Sequence, residues 1–223
     1  MAASHVNPTR MELTRQKKRL ATAVKGHKLL KDKRDELMRR FLELARENRR
    51  LRQRVEAGLA EAGQRFALAR ADVSDQVMNT ALLAPKQQVF LTVEKRNLMS
   101  VELPVFRTKT KTADDGDIYS YGFASTSMEM DSAIRRLWEL LPELLRLAEV
   151  EKSCQLLAAE IEKTRRRVNA LEHVMIPDAR EKIRYISMKL DENERSTQVR
   201  LMKVKDLMLE EARQERLRRD AAG

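Results

Sequence analysis

Apolar side chains recur at alternating steps of three and four residues along both ends of the 223-residue chain. This spacing places them on one face of a helix and is the repeat of a coiled coil. The first such stretch runs from residue 10 to residue 82 without a proline, and its start matches a capping box at Thr9 and Glu12. The predicted core positions are Leu13, Leu20, Leu30, Leu37, Phe41, Leu44, Leu51 and Val55.

The second half of the chain carries the same rhythm with one interruption. Its predicted core positions are Ile161, Val168, Leu171, Met175, Ile183, Ile186, Leu190 and Val204. Between Leu171 and Ile183 the steps run four, four and four, and Pro177 falls inside this shift. A proline inside a helix removes a hydrogen bond and clashes with the preceding turn, and a shifted heptad phase locally unwinds a supercoil. Because the pattern resumes on both sides, we expect one helix bent at Pro177.

The segment between the two striped regions has a different character. Val, Phe and Tyr are frequent there, and Asp115-Gly116 separates two runs of β-prone residues. This arrangement predicts a β-hairpin at about residues 99–124. Pro104 is then expected on an edge strand, where its missing N–H does no harm.

These patterns divide the chain into a long N-terminal helix (10–82), a central module (83–127) and a C-terminal helical arm (128–218) bent near Pro142 and Pro177. Neither apolar stripe is stable in water, since burial of apolar area contributes about 25 cal/mol per Å². The predicted fold is therefore dominated by α-helix. We expect the terminal helices to form an antiparallel two-helix coiled coil, with a small central module of a β-hairpin and short helices. A parallel homodimer through the first stripe would leave the second one unpaired and is the weaker alternative.

Composition and charge agree with long, exposed helices. Charged residues make up 35% of the chain and aromatic residues 4%, a balance typical of extended helical proteins. There is no apolar run long enough for a transmembrane helix and no apolar leader, and Cys154 is a single cysteine. A cytoplasmic protein without membrane insertion is therefore expected. The net charge of +11 is concentrated between Arg10 and Arg54.

A search for catalytic or metal-binding motifs finds little. The sequence has no glycine-rich phosphate loop, no paired cysteines and no HExxH motif. His5, His27 and His173 lack the spacing of metal ligands, and the acidic run at residues 114–117 is better interpreted as a turn than as a calcium loop. We therefore expect no enzymatic activity, no cofactor and no metal.

The basic N-terminal segment leaves other functions open. A nucleic-acid-binding coiled coil would use it as the binding surface, although the segment holds a single aromatic residue, Phe41, for stacking on bases. A helical dimer that binds anionic membranes is a further alternative, supported by charge alone.

Two segments resemble the D subunit of the vacuolar/archaeal-type rotary ATPases. One runs from Asn7 to Leu37 and contains the Asn-Pro-Thr-Arg start and the GHKLLKDKRD run. The other runs from Arg166 to Arg195 and contains VNALE and Ile176-Pro177. The succession of long helix, β-hairpin and long helix extends the resemblance over the chain.

The resemblance implies a central rotor shaft that couples ATP synthesis or hydrolysis to proton or sodium translocation. Its implied partners are the A-type and B-type nucleotide-binding subunits of a hexamer, the small F subunit of the stalk, and a socket subunit on the membrane rotor ring, on the cytoplasmic side. Charged residues outside the stripes would then face the hexamer. These candidates are Arg10, Arg15, Lys17, Lys18, Arg19, Arg213 and Arg216.

Overall fold

The structure is a computed structural model that describes residues 6–83, 85–112, 115–122 and 126–220. For residue 115 and residues 215–220 it describes the backbone only. The helices are α1 (Arg10–Asp72), α2 (Asp75–Leu82), α3 (Met128–Ala170) and α4 (Ile176–Asp220), with a π-helical turn at Leu171–Met175 and a 3-10 turn at Asp115–Ile118. The strands are β1 (Val89–Leu98) and β2 (Val101–Thr110), which pair antiparallel. The helical fold class and the small hairpin are confirmed.

Hydroxyl side chains cap the long helices at their starts. The Thr9 hydroxyl accepts a hydrogen bond from the Glu12 N–H at 3.2 Å, as the capping box predicts. At the start of α3 the corresponding acceptor is the Ser127 hydroxyl, which lies 3.3 Å from the Met130 N–H. Each cap satisfies a backbone donor that has no partner within its helix.

Contacts divide the chain into a terminal unit, Met1–Lys31 with Arg166–Gly223, and a central unit, Asp32–Arg165. In the terminal unit the start of α1 pairs with α4: Arg10 contacts Glu194, and His27 lies 3.4 Å from Glu172. Low residue numbers therefore meet high ones, as antiparallel pairing requires. The buried side chains of this unit are Gln16, Val168, Ala179 and Ile186, and the half-buried positions from the predicted set are Leu13, Leu20, Leu30, Leu171, Ile183 and Leu190.

The π-helical turn explains why one core prediction is wrong. The apolar spacing predicts Met175 in the core, but this side chain is 55% exposed, while Ile176 is half-buried and Ala179 is buried. A π turn takes one more residue than an α turn, so the inward step from Leu171 reaches Ile176. The chain remains helical through Pro177, which is the second residue of α4.

The core of the central unit joins α1 and α3 to the turn end of the hairpin. Leu37 on α1 and Leu157 on α3 are fully buried, and Ile161, Val101 and Leu103 complete the cluster. The predicted positions Phe41 and Leu44 pack against it while half-buried, and Leu51 and Val55 are buried further along α1.

The hairpin lies earlier in the chain than its predicted position. The strands meet at Met99-Ser100 and not at Asp115-Gly116, which lies in the 3-10 turn. Met99 and Ser100 both have positive φ, 52° and 70°, as a two-residue type I′ turn requires. Neither is a residue that favours this conformation, so the usual turn signal is missing. The Asn97 side-chain oxygen accepts a hydrogen bond from the Ser100 N–H at 3.0 Å and stabilises the turn.

The first long helix is also shorter than predicted. α1 ends at Asp72, and α2 begins only at Asp75, so residues 10–82 are not one continuous helix. Met78 of α2 is buried with Ala69 and Met130 in a second apolar cluster. This packing against α3 requires the chain to change direction after α1, which overrides the helical pattern.

Candidate interaction surfaces

Ion pairs connect α1 to α3 along one side of the central unit. Four charged residues of α1, spaced by seven or fourteen residues, each pair with an oppositely charged residue of α3. The order of the partners along α3 is reversed, as expected for antiparallel helices. Among the described residues these pairs are Lys33–Glu160 (3.3 Å), Glu47–Arg146 (2.9 Å), Arg54–Glu143 (3.1 Å) and Glu61–Arg136 (2.9 Å). Arg52 pairs with Glu151 in addition. Ion pairs that remain in contact with water contribute little to stability, so their main effect is to specify which residues face each other.

A glycine lets α1 and α3 approach closely. Gly58 is buried, and a Cβ atom at this position would lie 2.4 Å and 2.8 Å from the two methyl carbons of Leu140. Leu140 is itself only 3% exposed. Two other glycines of α1, Gly26 and Gly63, have open space where a Cβ would stand. Close packing therefore depends on glycine at position 58 alone among these three.

A cleft of about 580 Å³ lies where the segment before α3 packs on that helix. The Tyr121 hydroxyl donates a hydrogen bond to the Asp131 carboxylate at 2.5 Å, and Arg135 Nε donates one to the Tyr119 hydroxyl at 3.2 Å. Burial, followed by the bond to the Asp131 carboxylate, raises the pKa of Tyr121 well above its usual range. Sequence reasoning missed this contact because it interpreted the tyrosines as strand residues. They serve to attach the segment to α3.

The predicted hexamer-facing residues lie at the surface wherever their side chains are described. Arg10 pairs with Glu194, and Arg15 lies 3.7 Å from Glu12 on the same helix. The remaining candidates on described side chains, Lys17, Lys18, Arg19 and Arg213, are exposed. The side chain of Arg216 lies outside the described residues.

The last part of α4 exposes a broad set of apolar side chains. The heptad pattern predicts Val204 in the coiled-coil core, but this residue is 53% exposed. α1 begins at Arg10, which already contacts Glu194, so α4 continues past the start of its partner helix. The neighbouring exposed residues are Val199, Leu201, Met202, Leu207, Met208 and Leu209. Such an apolar stretch beyond the end of the paired helix is a candidate interaction surface.

The described residues do not bring together a metal centre or a membrane span. No three His, Cys, Asp or Glu side chains in the described part of the chain are close enough to hold a metal ion. Burial, then the nearby carboxylates of Glu151 and Glu47, raises the pKa of Cys154, which keeps this thiol in its unreactive protonated form. Over the described ranges, no helix is both long and apolar enough to cross a bilayer.

Long paired helices with exposed charged and apolar faces define a coiled-coil protein. Comparison with known proteins makes this class specific. A family model that describes the D subunit of ATP synthase matches residues 12–206. The chain belongs to this family of ATP synthase D subunits, which confirms the resemblance seen in its two terminal segments.

Full-length relatives carry the same description. The D subunit of the V-type ATP synthase of Acetivibrio thermocellus is 61% identical over 95% of this chain and 96% of that protein. The V-type ATP synthase D subunit of Clostridioides difficile is 57% identical over 99% of both chains. That of a Thermoanaerobacter species is 54% identical over 94% of this chain and 99% of the relative.

Proposed function

We propose that the paired helices of this chain act as the turning shaft that couples nucleotide chemistry to ion translocation in a rotary ATPase. As a member of its family the chain is a central-stalk subunit of a V-type rotary ATPase, and it is not a catalytic subunit. Neither the family nor its relatives support the nucleic-acid alternative.

The observation that carries this proposal is the antiparallel pairing of long helices within each unit. α1 is helical over 63 residues, and it packs on α4 in the terminal unit and on α3 in the central unit. A helix pair packed along its length resists bending and twisting, and its two sides carry different side chains. As such a shaft turns, each surrounding subunit meets a different side and is shifted towards its open or closed state by the difference in contact energy.

The proposed partners follow from the position of such a shaft in the complex. They are the A-type and B-type nucleotide-binding subunits, the small F subunit of the stalk, and a socket subunit that joins the shaft to the membrane rotor ring. The complex would hold the chain on the cytoplasmic side of the membrane.

Several features of the chain take roles in this proposal. The exposed basic residues near the start of α1 (Lys17, Lys18 and Arg19) would meet acidic loops of the hexamer. The π turn and Pro177 would set a bend in the C-terminal helical arm. The hairpin and the cleft around Tyr121 lie in the central module, which would be directed towards the membrane.

A pull-down tests the proposal. The chain is expressed with a C-terminal tag, native membranes are solubilised in mild detergent, and the stoichiometric companions are identified by mass spectrometry. We expect two large nucleotide-binding subunits with ATPase activity, together with a small cytosolic subunit in a one-to-one ratio with the chain. Recovery of the chain alone, or with nucleic acid, would contradict the proposal.

A further inference from the structure

The helical arm formed by α3 and α4 has one residue more than its core pattern needs. Its buried and half-buried positions run in steps of three and four residues on both sides of the π turn. They are Ile161, Thr164, Val168 and Leu171 before the turn, and Ile176, Ala179, Ile183 and Ile186 after it. The step between the two sets is five residues, and the Ile176 N–H bonds to the Leu171 C=O, five residues earlier. The π turn therefore holds the extra residue in a single place.

The same stretch of sequence fits a second packing. Met175 comes directly before Ile176, and the steps from Leu171 through Met175 and Ala179 to Ile183 are four residues each. In an unbroken α-helix Met175 would take the inward position, and Ile176 would turn outward, because neighbouring residues point about 100° apart. Leu171, Ala179 and Ile183 lie inward in both packings. The two packings therefore differ only in which of two adjacent apolar residues is buried.

The core around the π turn is thin enough for this exchange. No side chain of the turn is buried, and Met175 is 55% exposed. On α1, no side chain in the fully described range 17–36 is buried. His27 of this range contacts Glu172 of the turn, and the adjacent Gly26 has no atom within 4 Å of the place where a Cβ would stand. A helix section with few buried contacts has low local stability.

Pro177 favours the packing with the π turn. In an unbroken α-helix the proline ring clashes with the carbonyl four residues earlier, here that of His173. The wider π turn lies directly before Pro177 and moves this carbonyl out of its α-helical position. Pro177 therefore acts against the unbroken helix that would bring Met175 inward.

We propose that the segment from Leu171 to Ile183 is a twist-sensitive joint, which buries Ile176 when the π turn is present and Met175 when the helix is unbroken. With the π turn, the spacing of three and four on either side keeps the left-handed supercoil. With three successive steps of four, the supercoil unwinds locally. Torsion that unwinds the helix pair therefore shifts the joint towards the second packing. This use of the joint rests on the proposed function, since a turning shaft is what would be twisted, whereas the two packings do not depend on it.

Methionine methyl NMR of the full chain tests the two packings. A soluble paramagnetic agent weakens the signals of exposed methyl groups and spares buried ones. In the wild type the Met175 signal should be weakened as much as that of Met188, which is 62% exposed, while the fully buried Met130 is spared. In the Pro177→Ala variant Met175 should lose at least half of this effect, with Met188 unchanged. A Met175 signal that remains as exposed as that of Met188 would overturn the inference.

Deletion of Val174 provides the matched control. Val174 is an exposed residue of the π turn, and its removal takes out the extra residue, so that steps of three and four continue without a break and Ile176 stays inward. Combined with Pro177→Ala, this deletion should leave Met175 exposed. Protection of Met175 in the combined variant as well would show that loss of the proline, and not the choice of packing, buries this side chain, and the inference would be wrong.

A polar substitution reaches the second packing with the proline in place. Ile176→Gln should turn outward, so Met175 gains protection. Leu190→Gln, a change of the same kind at a half-buried position outside the joint, should leave Met175 exposed. Equal protection of Met175 in both variants, or in neither, would contradict the proposed exchange.

The response to twist is measured in the assembled complex. Amide hydrogen exchange over residues 171–178 is compared between the resting complex and the complex hydrolysing ATP. We expect exchange to be several-fold faster during hydrolysis with the wild-type chain and unchanged with the Val174 deletion. Equal rates in the two states of the wild-type complex would refute the response to twist. If the wild-type chain does not associate with nucleotide-binding subunits at all, the proposed function fails, while the NMR comparison still decides whether the two packings exist.

Discussion

Replacement of Gly58 by alanine measures how closely α1 and α3 must approach. In an exposed helix this change is favourable by about 0.5–1 kcal/mol, because glycine loses more backbone freedom on folding. At position 58, however, the new Cβ would lie 2.4 Å and 2.8 Å from the methyl carbons of Leu140 and 3.1 Å from its Cγ. Leu140 is 3% exposed, so its side chain must move within a packed interior to make room. Overpacking of a buried site costs about 1–3 kcal/mol, so we expect a net loss of up to about 2 kcal/mol.

Two glycines of the same helix provide matched controls. Gly26→Ala and Gly63→Ala add their Cβ to open space, and each should stabilise the protein by about 0.5–1 kcal/mol. Thermal unfolding of the full chain, followed by circular dichroism, compares the three variants at about 2–4 °C per kcal/mol for a chain of this size. Gly58→Ala should melt several degrees below Gly63→Ala.

A double substitution tests whether Leu140 is the cause. Leu140→Ala alone should cost about 2–5 kcal/mol, and combination with Gly58→Ala should cost less than the sum of the two, because the added methyl group then fills the vacated space. A Gly58→Ala variant that is stabilised as much as Gly63→Ala would refute the reasoning. Strictly additive effects in the double variant would refute the role of Leu140.

Further predictions concern the hairpin, the π turn and the basic segment. Ser100→Gly should raise the free energy of unfolding by about 1 kcal/mol, because glycine adopts positive φ without the strain of an L side chain, and Ser100→Ala should not; chemical denaturation measures both. Pro177→Ala should raise the melting temperature, since it restores a backbone donor. The coupled activity of the assembled complex then shows whether a bend at this position is functional. Loss of coupling in the Pro177→Ala variant means that the bend is needed. Neutralisation of Lys17, Lys18 and Arg19 together should weaken assembly and coupled activity at low salt, and unchanged assembly and activity at every salt concentration would contradict the proposed contact with acidic loops.

The helical pattern of the terminal segments could be predicted because it is local. Residues three and four apart lie on one helix face whatever the rest of the chain does, and Leu37, Val168 and Ile186 are indeed buried. The Thr9 cap is equally local, since its hydroxyl reaches an N–H only three residues away. These features require no knowledge of distant parts of the chain.

The hairpin could not be placed because its turn lacks a local signal. Met99 and Ser100 adopt positive φ under the constraint of the strands on either side, whose ladder continues to Val89 and Thr110. The Asp115-Gly116 pair has the composition of a hairpin turn, yet the chain after it packs on α3 through Tyr121. Local turn preference was outweighed by pairing and packing between distant segments.

The exposed surfaces of the helices also depend partly on the sequence and partly on the tertiary structure. The spacing of apolar residues on α4 is present in the sequence, but only the structure shows that Met188 and Met202 are exposed while Ile186 is buried. The choice of ion-pair partners, such as Glu47 with Arg146, depends on the relative position of two helices. Sequence periodicity by itself therefore determined which segments are helical, and the residues of the two terminal segments determined which family the chain resembles. The tertiary structure decided the inward step at the π turn, the contact of Gly58 with Leu140 and the outward faces, because each depends on the residue that stands opposite.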